Sequence, residues 1–358
     1  MFRLSRHWAV ALVGVCSLAH GSESVEIFRV NLNPSIDRAM RHPTQFAVDV
    51  ARHLNSENSG RWRVDQGNAI WDYSISIPTA VSMGFHASRL MLPPDGTLTV
   101  SAGGQSFVYH GRDLRRSDFW SRSVKGNQVS IQMVVPGRMR HQALIEIAAF
   151  QAGYRSLSAD IDDHPHFKAL RARAAQSSTG CVENYVCDAS TSTQSAANAS
   201  VAVVVGNKFE CSGTLLNDVP QDGVPYVLTA RHCENGEDGG GDPGAASSVE
   251  VYWNSVTPCG QALSSIFDSN SQSQYGAITV VEQQDQWLIR LGDQPAVANI
   301  YFAGWDASGT PLTGGYSIEY ANALTQQYVT WSGLAITEDL SGQTLGVGYE
   351  STYWGVVN

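Results

Sequence analysis

Basic residues almost vanish from the second half of this 358-residue sequence. Residues 181–358 hold 3 Lys+Arg against 19 Asp+Glu, a net of −16, whereas residues 1–180 hold 20 against 14, a net of +6. A surface so poor in cations cannot neutralise phosphates, which excludes nucleic acid as a partner of the second half. An asymmetry of this size points to two modules; opposite signs would draw one module onto the other through their summed potentials, the alternative being an acidic surface kept only for solubility. Long apolar runs are missing too. The stretch Trp8–Leu18 is too short to span a bilayer and nothing later is longer, so no membrane partner is expected. Neither a Rossmann glycine fingerprint nor a P-loop is present, which leaves no sign of a nucleotide cofactor.

The first 21 residues read as a secretory signal. Arg3 and Arg6 supply the charged start, Trp8–Leu18 the apolar stretch, and Ala19-His20-Gly21 the small-x-small cleavage site. The expected location is therefore extracellular. Cys16 leaves with the signal, and the remaining Cys181, Cys187, Cys211, Cys233 and Cys259 are odd in number for an oxidising compartment.

Organisation follows from pattern. Residues 22–66 read as an N-terminal arm, with a weakly amphipathic helix or arm around Thr44–Leu54. Residues 67–156 read as a β-sandwich. Its signals are alternation over Asp72–Ile77, Thr97–Ser101, Ser106–Tyr109 and Val129–Val135, with turns at Pro94-Asp95-Gly96, Gly103-Gly104 and Lys125-Gly126-Asn127. Residues 157–180, charged and then rich in Ser, Ala and Gly, read as a linker with a processing site between Arg171 and Gly180. Asp160, Asp162, Asp163, His164 and His166 cluster there. Pro165 and the absence of helical spacing favour a solvated segment over a metal site, so no metal is expected. Asn198-Ala199-Ser200 fits a glycosylation acceptor and is read as surface loop only. From Cys181 onward strands recur at Val201–Val205, Phe209–Leu216, Tyr226–Ala230, Val249–Trp253, Ile278–Glu282, Trp287–Leu291 and Asn299–Trp305.

Chemistry concentrates in Tyr226-Val-Leu-Thr-Ala-Arg-His-Cys233. The strand ends at Ala230, so His232 emerges at the edge of a rigid scaffold, where an imidazole can serve as a general base or simply as a bonded structural histidine. Together with Cys211-Ser-Gly-Thr-Leu-Leu-Asn217, this block resembles the chymotrypsin-class serine proteases, and more narrowly the secreted bacterial lysyl endopeptidase-like branch. Cys181-Val-Glu-Asn-Tyr-Val-Cys187, Val249-Glu-Val-Tyr-Trp-Asn254 and Tyr301-Phe-Ala-Gly-Trp-Asp306 are similar to further segments of that family. The resemblance implies an all-β fold, with an N-terminal β-sandwich prosegment followed by a trypsin-like double β-barrel over 181–358. It also implies His232 as base and Asp285, in Gln284-Asp-Gln-Trp-Leu-Ile-Arg-Leu291, as the carboxylate that orients it. Asp268 and Asp293 are weaker candidates. The disulfides it implies are Cys211–Cys233 and Cys187–Cys259, with Cys181 unpaired for want of a C-terminal cysteine. Protein or peptide substrates and the chain's own prosegment are the implied partners, and no cofactor is required.

The sequence also departs from the family. No Gly-x-Ser-Gly nucleophile loop occurs, and Ser341, in Asp339-Leu-Ser-Gly342, lacks the glycine two residues before it and comes too early. The second barrel is short of strands. Truncation of the reading frame, or a fragmentary sequence, would explain the missing loop, the odd Cys181 and the incomplete barrel together; the alternative is a protease that has lost its nucleophile. Ile318-Glu-Tyr-Ala321 also replaces the family's "IHHP" segment, so lysine preference does not carry over. The expected function is a secreted serine endopeptidase precursor. The alternative is an inactive homologue that binds carbohydrate or cell wall through sandwich aromatics such as Trp71, Phe85, Tyr109 and Trp120.

Overall fold

The computed structural model describes residues 25–40, 44–114, 117–156, 162–174, 183–188, 191–235, 245–267, 272–283, 285–295, 297–306 and 314–332. The chain is all-β, with short helices at the joints.

Two sheets make the first half. Strand β4 (Asn68–Ser76) carries β1 (Val25–Ile27) and β3 (Arg61–Asp65) along one edge. Its other edge pairs with β10 (Gln128–Pro136), followed by β6 (Thr97–Ala102) and β7 (Gln105–His110). The facing sheet sets β2 (Ala47–Asn55), β11 (Leu144–Gly153) and β5 (Ser82–Met91) side by side. The short β8 (Phe119–Trp120) and β9 (Val124–Lys125) close its far edge. Alternation makes the core: Val129, Ile131, Met133 and Val135 of β10 are all fully buried, and they face Phe85 of β5 and Ile145, Ile147 and Phe150 of β11.

Three expectations for this half need correction. Thr44–Leu54 is not a helix or arm, because Ala47–Asn55 is strand β2. The 22–66 segment is therefore not separate from the sandwich, since β1, β2 and β3 all belong to its sheets. The 157–180 segment is not wholly a linker either. Helix α2 (Pro165–Ala174) buries Phe167 in the sandwich core, and its His166 bonds Asp37 of α1 (Asn33–Ala39) at 2.7 Å. Pro165 opens this helix, a position where its missing N–H costs nothing.

The second half is one seven-stranded antiparallel sheet, curled into a half-barrel. Its order is β17 (Gln272–Tyr275), β16 (Val249–Trp253), β13 (Ser200–Val205), β14 (Phe209–Leu216), β15 (Tyr226–Ala230), β19 (Gln286–Leu291) and β18 (Ala277–Gln283). A small sheet of β12 (Glu183–Asn184), β21 (Gln327–Ser332) and β20 (Gly314–Glu319) lies beside it. Strand β13 is buried on both faces, which is why it reads as an unbroken apolar run. Val201, Val203 and Val205 point into the half-barrel with Trp253, Trp287 and Ile289. Ala202 and Val204 point outward, against Phe46 and Ala47 of the first half.

Two further expectations in this half fail. Asn299–Trp305 forms no strand: within it Ala303 reaches only a single bridge to Leu216 of β14. Asn198-Ala199-Ser200 is not a surface loop but the joint between α3 (Thr191–Ala199) and β13. There Ser200 is buried and donates to the carbonyls of Ala196 and Ile318.

Candidate active site

Antiparallel pairing brings the site together. Ala230, the last residue of β15, lies opposite Gln286, the first of β19. His232, two residues past that pair, and Asp285, one residue before it, therefore meet at one end of the half-barrel. The His232 Nδ1 donates to Asp285, at 2.8 Å from Oδ2 and 3.0 Å from Oδ1. Oδ1 also accepts the backbone N–H of His232 at 3.0 Å, and the Asp285 carbonyl accepts that of Arg231 at 3.0 Å. Ring and backbone are thus held by the same carboxylate. Partial burial pushes the Asp285 carboxyl upward, but the bonds from His232 and Arg231 outweigh it and hold the group below its ordinary value. A carboxylate that stays ionised fixes the imidazole with its proton on Nδ1, which makes Nε2 the basic nitrogen.

The support for this pair is covalent as well as hydrogen-bonded. Cys233, at the start of the short helix α4 (His232–Asn235), is joined to Cys211 of β14. Thr229 Oγ1 donates to the Ser212 carbonyl at 2.8 Å, which ties the end of β15 to β14. Arg231 pairs with Glu282 of β18 at 2.5 Å. Sequence reasoning missed Thr229, Arg231 and Glu282 as supports, although the first two stand inside the quoted Thr-Ala-Arg-His block. A second disulfide joins Cys187 to Cys259, where Asn184 bonds the Thr257 and Pro258 carbonyls.

The other candidates fall elsewhere. Asp293 lies exposed past the opposite end of β19, with its carbonyl bonded to Gln274. Asp268, Ser341 and Cys181 lie outside the described residues, as does Asp160. Asp163 accepts the Ser156 N–H at 2.7 Å, Asp162 pairs with Lys168, and buried His164 accepts the His166 N–H on Nδ1. These groups are spent on holding α2 rather than converging on one point. Among the described residues, the one group with metal-ligand proximity is Cys211, His232 and Cys233, whose two sulfurs are consumed in the disulfide. The sandwich aromatics are packing groups. Trp71 and Phe85 are fully buried, Tyr109 accepts the Arg122 N–H, and Trp120 stacks on His86.

Residues 175–339 match the family model described as lysyl endopeptidase, C-terminal domain. The matched span contains His232, Asp285 and both disulfides. Over that span the chain is similar to lysyl endopeptidases, and the match supports a protease of that kind.

Proposed function

We propose that this chain is the precursor of a secreted serine endopeptidase in which His232 is the general base and Asp285 its orienting carboxylate. The observation that carries the reading is the double grip of Asp285 on the ring and backbone N–H groups of His232. In the reaction, Nε2 takes the proton of a serine hydroxyl as that oxygen attacks the peptide carbonyl. Asp285 then stabilises the imidazolium, which returns the proton to the leaving amine. The setting expected for the nucleophile is a Gly-x-Ser-Gly loop, and that sequence does not occur in residues 1–358. Ser341 is the competing candidate within them. Residues 1–21 act as the export signal, and the sandwich half as the prosegment. Only Lys208, Arg231 and Arg290 are basic within 181–358, and this scarcity would protect an enzyme that cuts after basic residues from digesting itself.

The test begins with reading the gene past the codon for Asn358 and expressing whatever frame is found. Asp285→Asn is expected to lower kcat by about 10⁴-fold, since it offers the wrong hydrogen-bonding partner to Nδ1, and His232→Ala by about 10⁶-fold. Undiminished peptidase activity in His232→Ala would sink the assignment. If residues 1–358 cleave peptides and Ser341→Ala abolishes this, the nucleophile is Ser341. A peptide library that returns apolar P1 residues would remove the basic-residue preference.

A further inference from the structure

The contact between the two halves has the composition of a specific interface and not of a tether. The hairpin joining β13 to β14 turns through Gly206 and Asn207, both with positive φ, and presses its tip onto the sandwich. There the Asn207 amide donates to the Ser121 carbonyl, and Gly84 of β5 comes so close that a Cβ would sit 2.8 Å from the Asn207 amide nitrogen. Beside the tip, Phe46 N–H donates to the Lys208 carbonyl at 2.8 Å and Glu210 N–H to the Thr44 carbonyl at 3.0 Å, a short antiparallel bridge between the halves. Phe46 and Ala47 complete an apolar cluster with Ala202, Val204, Tyr252 and Phe267.

Two buried carboxylates lie within this contact. Glu210 of β14, 7% exposed, takes the Arg155 guanidinium on Oε1 at 2.7 Å, and Arg155 also donates to Asn322 at 2.7 Å. Glu250 of β16, 5% exposed, pairs with Arg122 at 3.3 Å, and Arg122 stacks over Phe107 and Tyr252. Both arginines come from the first half and both glutamates from the second, as the charge split of the sequence suggests, whereas the more exposed Lys208–Asp49 pair runs the other way. The Oε2 of Glu210 has no hydrogen-bond partner among the described residues. A buried carboxylate with one oxygen unmatched is costly to keep ionised.

We propose that the sandwich is a separable partner of the half-barrel. It sits on the outer face of β13, β14 and β16 as a non-covalent subunit, and this seat takes up a proton as it forms, so that it holds in acid and loosens as pH rises. The sign follows from burial. Burial raises the Glu210 carboxyl to about 7 from the ordinary 4.5, against the opposing pull of Arg155. Burial likewise raises Glu250 against the pull of Arg122, Ser273 and Tyr252. Tyr154 also faces Glu210, and Tyr109 and Tyr275 face Glu250, all three themselves raised by burial. Undocked, Glu210 loses the burial and titrates near its ordinary value. Between the two values the docked form holds a proton that the undocked form does not, so docking weakens as pH climbs through that window. Asp118, bonded to His86 within the sandwich, also accepts the Ser247 hydroxyl of the half-barrel at 3.2 Å, and the bond from His86 holds its carboxyl below the ordinary range.

The seat is independent of any catalytic role, so its test needs no peptidase activity. A recognition sequence for a site-specific protease is placed within residues 175–182, and the folded full chain is cut there. The two pieces are then followed by size-exclusion chromatography and by titration at pH 5.5 and 8.5. Co-elution at pH 5.5 is expected, with a Kd about thirtyfold weaker at pH 8.5 from the Glu210 proton alone. Glu210→Gln, which mimics the protonated group, is expected to flatten that dependence and stay docked at pH 8.5. Gly84→Ala, which drives a methyl into the Asn207 tip, is expected to weaken docking at both pH values. Pieces that separate at pH 5.5, or bind equally or more tightly at pH 8.5, overturn the proposal, and so does a Glu210→Gln chain that keeps the full pH dependence.

Discussion

The sandwich and the half-barrel solve the same burial problem differently. Each sheet of the sandwich hides one face against the other, so Trp71, Phe85, Ile131 and Phe150 lie in a core made almost wholly of residues 32–154. The half-barrel fills its inside with Trp253, Trp287 and Ile289, but the outside of β13 and β16 is covered by Phe46 and Ala47 and by arginines from elsewhere in the chain. The first half carries its own cover, and the second half borrows part of its cover. A domain that borrows loses both apolar contact and countercharge when the lender leaves.

The widest test of this contrast is a pair of core truncations. Trp71→Ala and Trp287→Ala should each cost about 3–5 kcal/mol. Trp71→Ala should destabilise both halves in hydrogen exchange, and Trp287→Ala the half-barrel alone; symmetrical effects would break the comparison. Next, Arg122→Ala leaves Glu250 buried without its cation, and breaking such a pair costs about 3–5 kcal/mol in chemical denaturation. If Arg122→Ala is neutral, the borrowed countercharge has no energetic weight. Removing the Cys211–Cys233 bond, which spans 22 residues, should cost about 3 kcal/mol and act on the half-barrel only. Smallest is Lys208→Ala. Its pair with Asp49 reaches solvent, so a loss below about 1 kcal/mol is expected in the same assay.

A pH titration sharpens the contrast further, because the two carboxylates move in opposite directions. The lowered Asp285 contributes stability that is present above the ordinary carboxylate range and lost as pH falls through its depressed value. The raised Glu210 contributes stability present in acid and lost as pH rises toward about 7. Unfolding curves from pH 3 to 9 should show both limbs in the parent chain, with the upper one reduced in Glu210→Gln to what the raised Glu250 leaves.

Elements with an uninterrupted pattern could be read from the sequence, and those broken by a charge could not. Val129–Val135 alternates cleanly and lies within β10, while the apolar run Val201–Val205 lies within the doubly buried β13. In β2 the alternation of Val48, Val50 and Leu54 is interrupted by Arg52, which pairs with Glu26 at 2.7 Å. The remaining apolar residues at 46, 47, 50 and 54 then mimic helical spacing. Helix α2 was hidden by its opening proline, although Phe167 and Leu170 stand three apart on the face that meets the sandwich. At the site, His232 and Asp285 were legible only through the family resemblance of their flanking segments, and the pairing of Ala230 with Gln286 brings those strand ends together. The interface glutamates gave one signal that went unread. Glu250 stands alone in Val249-Glu-Val-Tyr-Trp253, a carboxylate in an apolar strand that must find its cation elsewhere in the fold.

Strand β14 has a mechanical consequence. Glu210 grips the sandwich through Arg155, and Cys211, the next residue, is bolted to Cys233 beside His232. A single peptide unit therefore separates the foothold of the first half from the anchor of the imidazole, with no loop between them to absorb a displacement. In a chain whose sandwich has come away, β14 keeps its pairing with β13 and β15, but the residue next to the imidazole's anchor has lost its foothold.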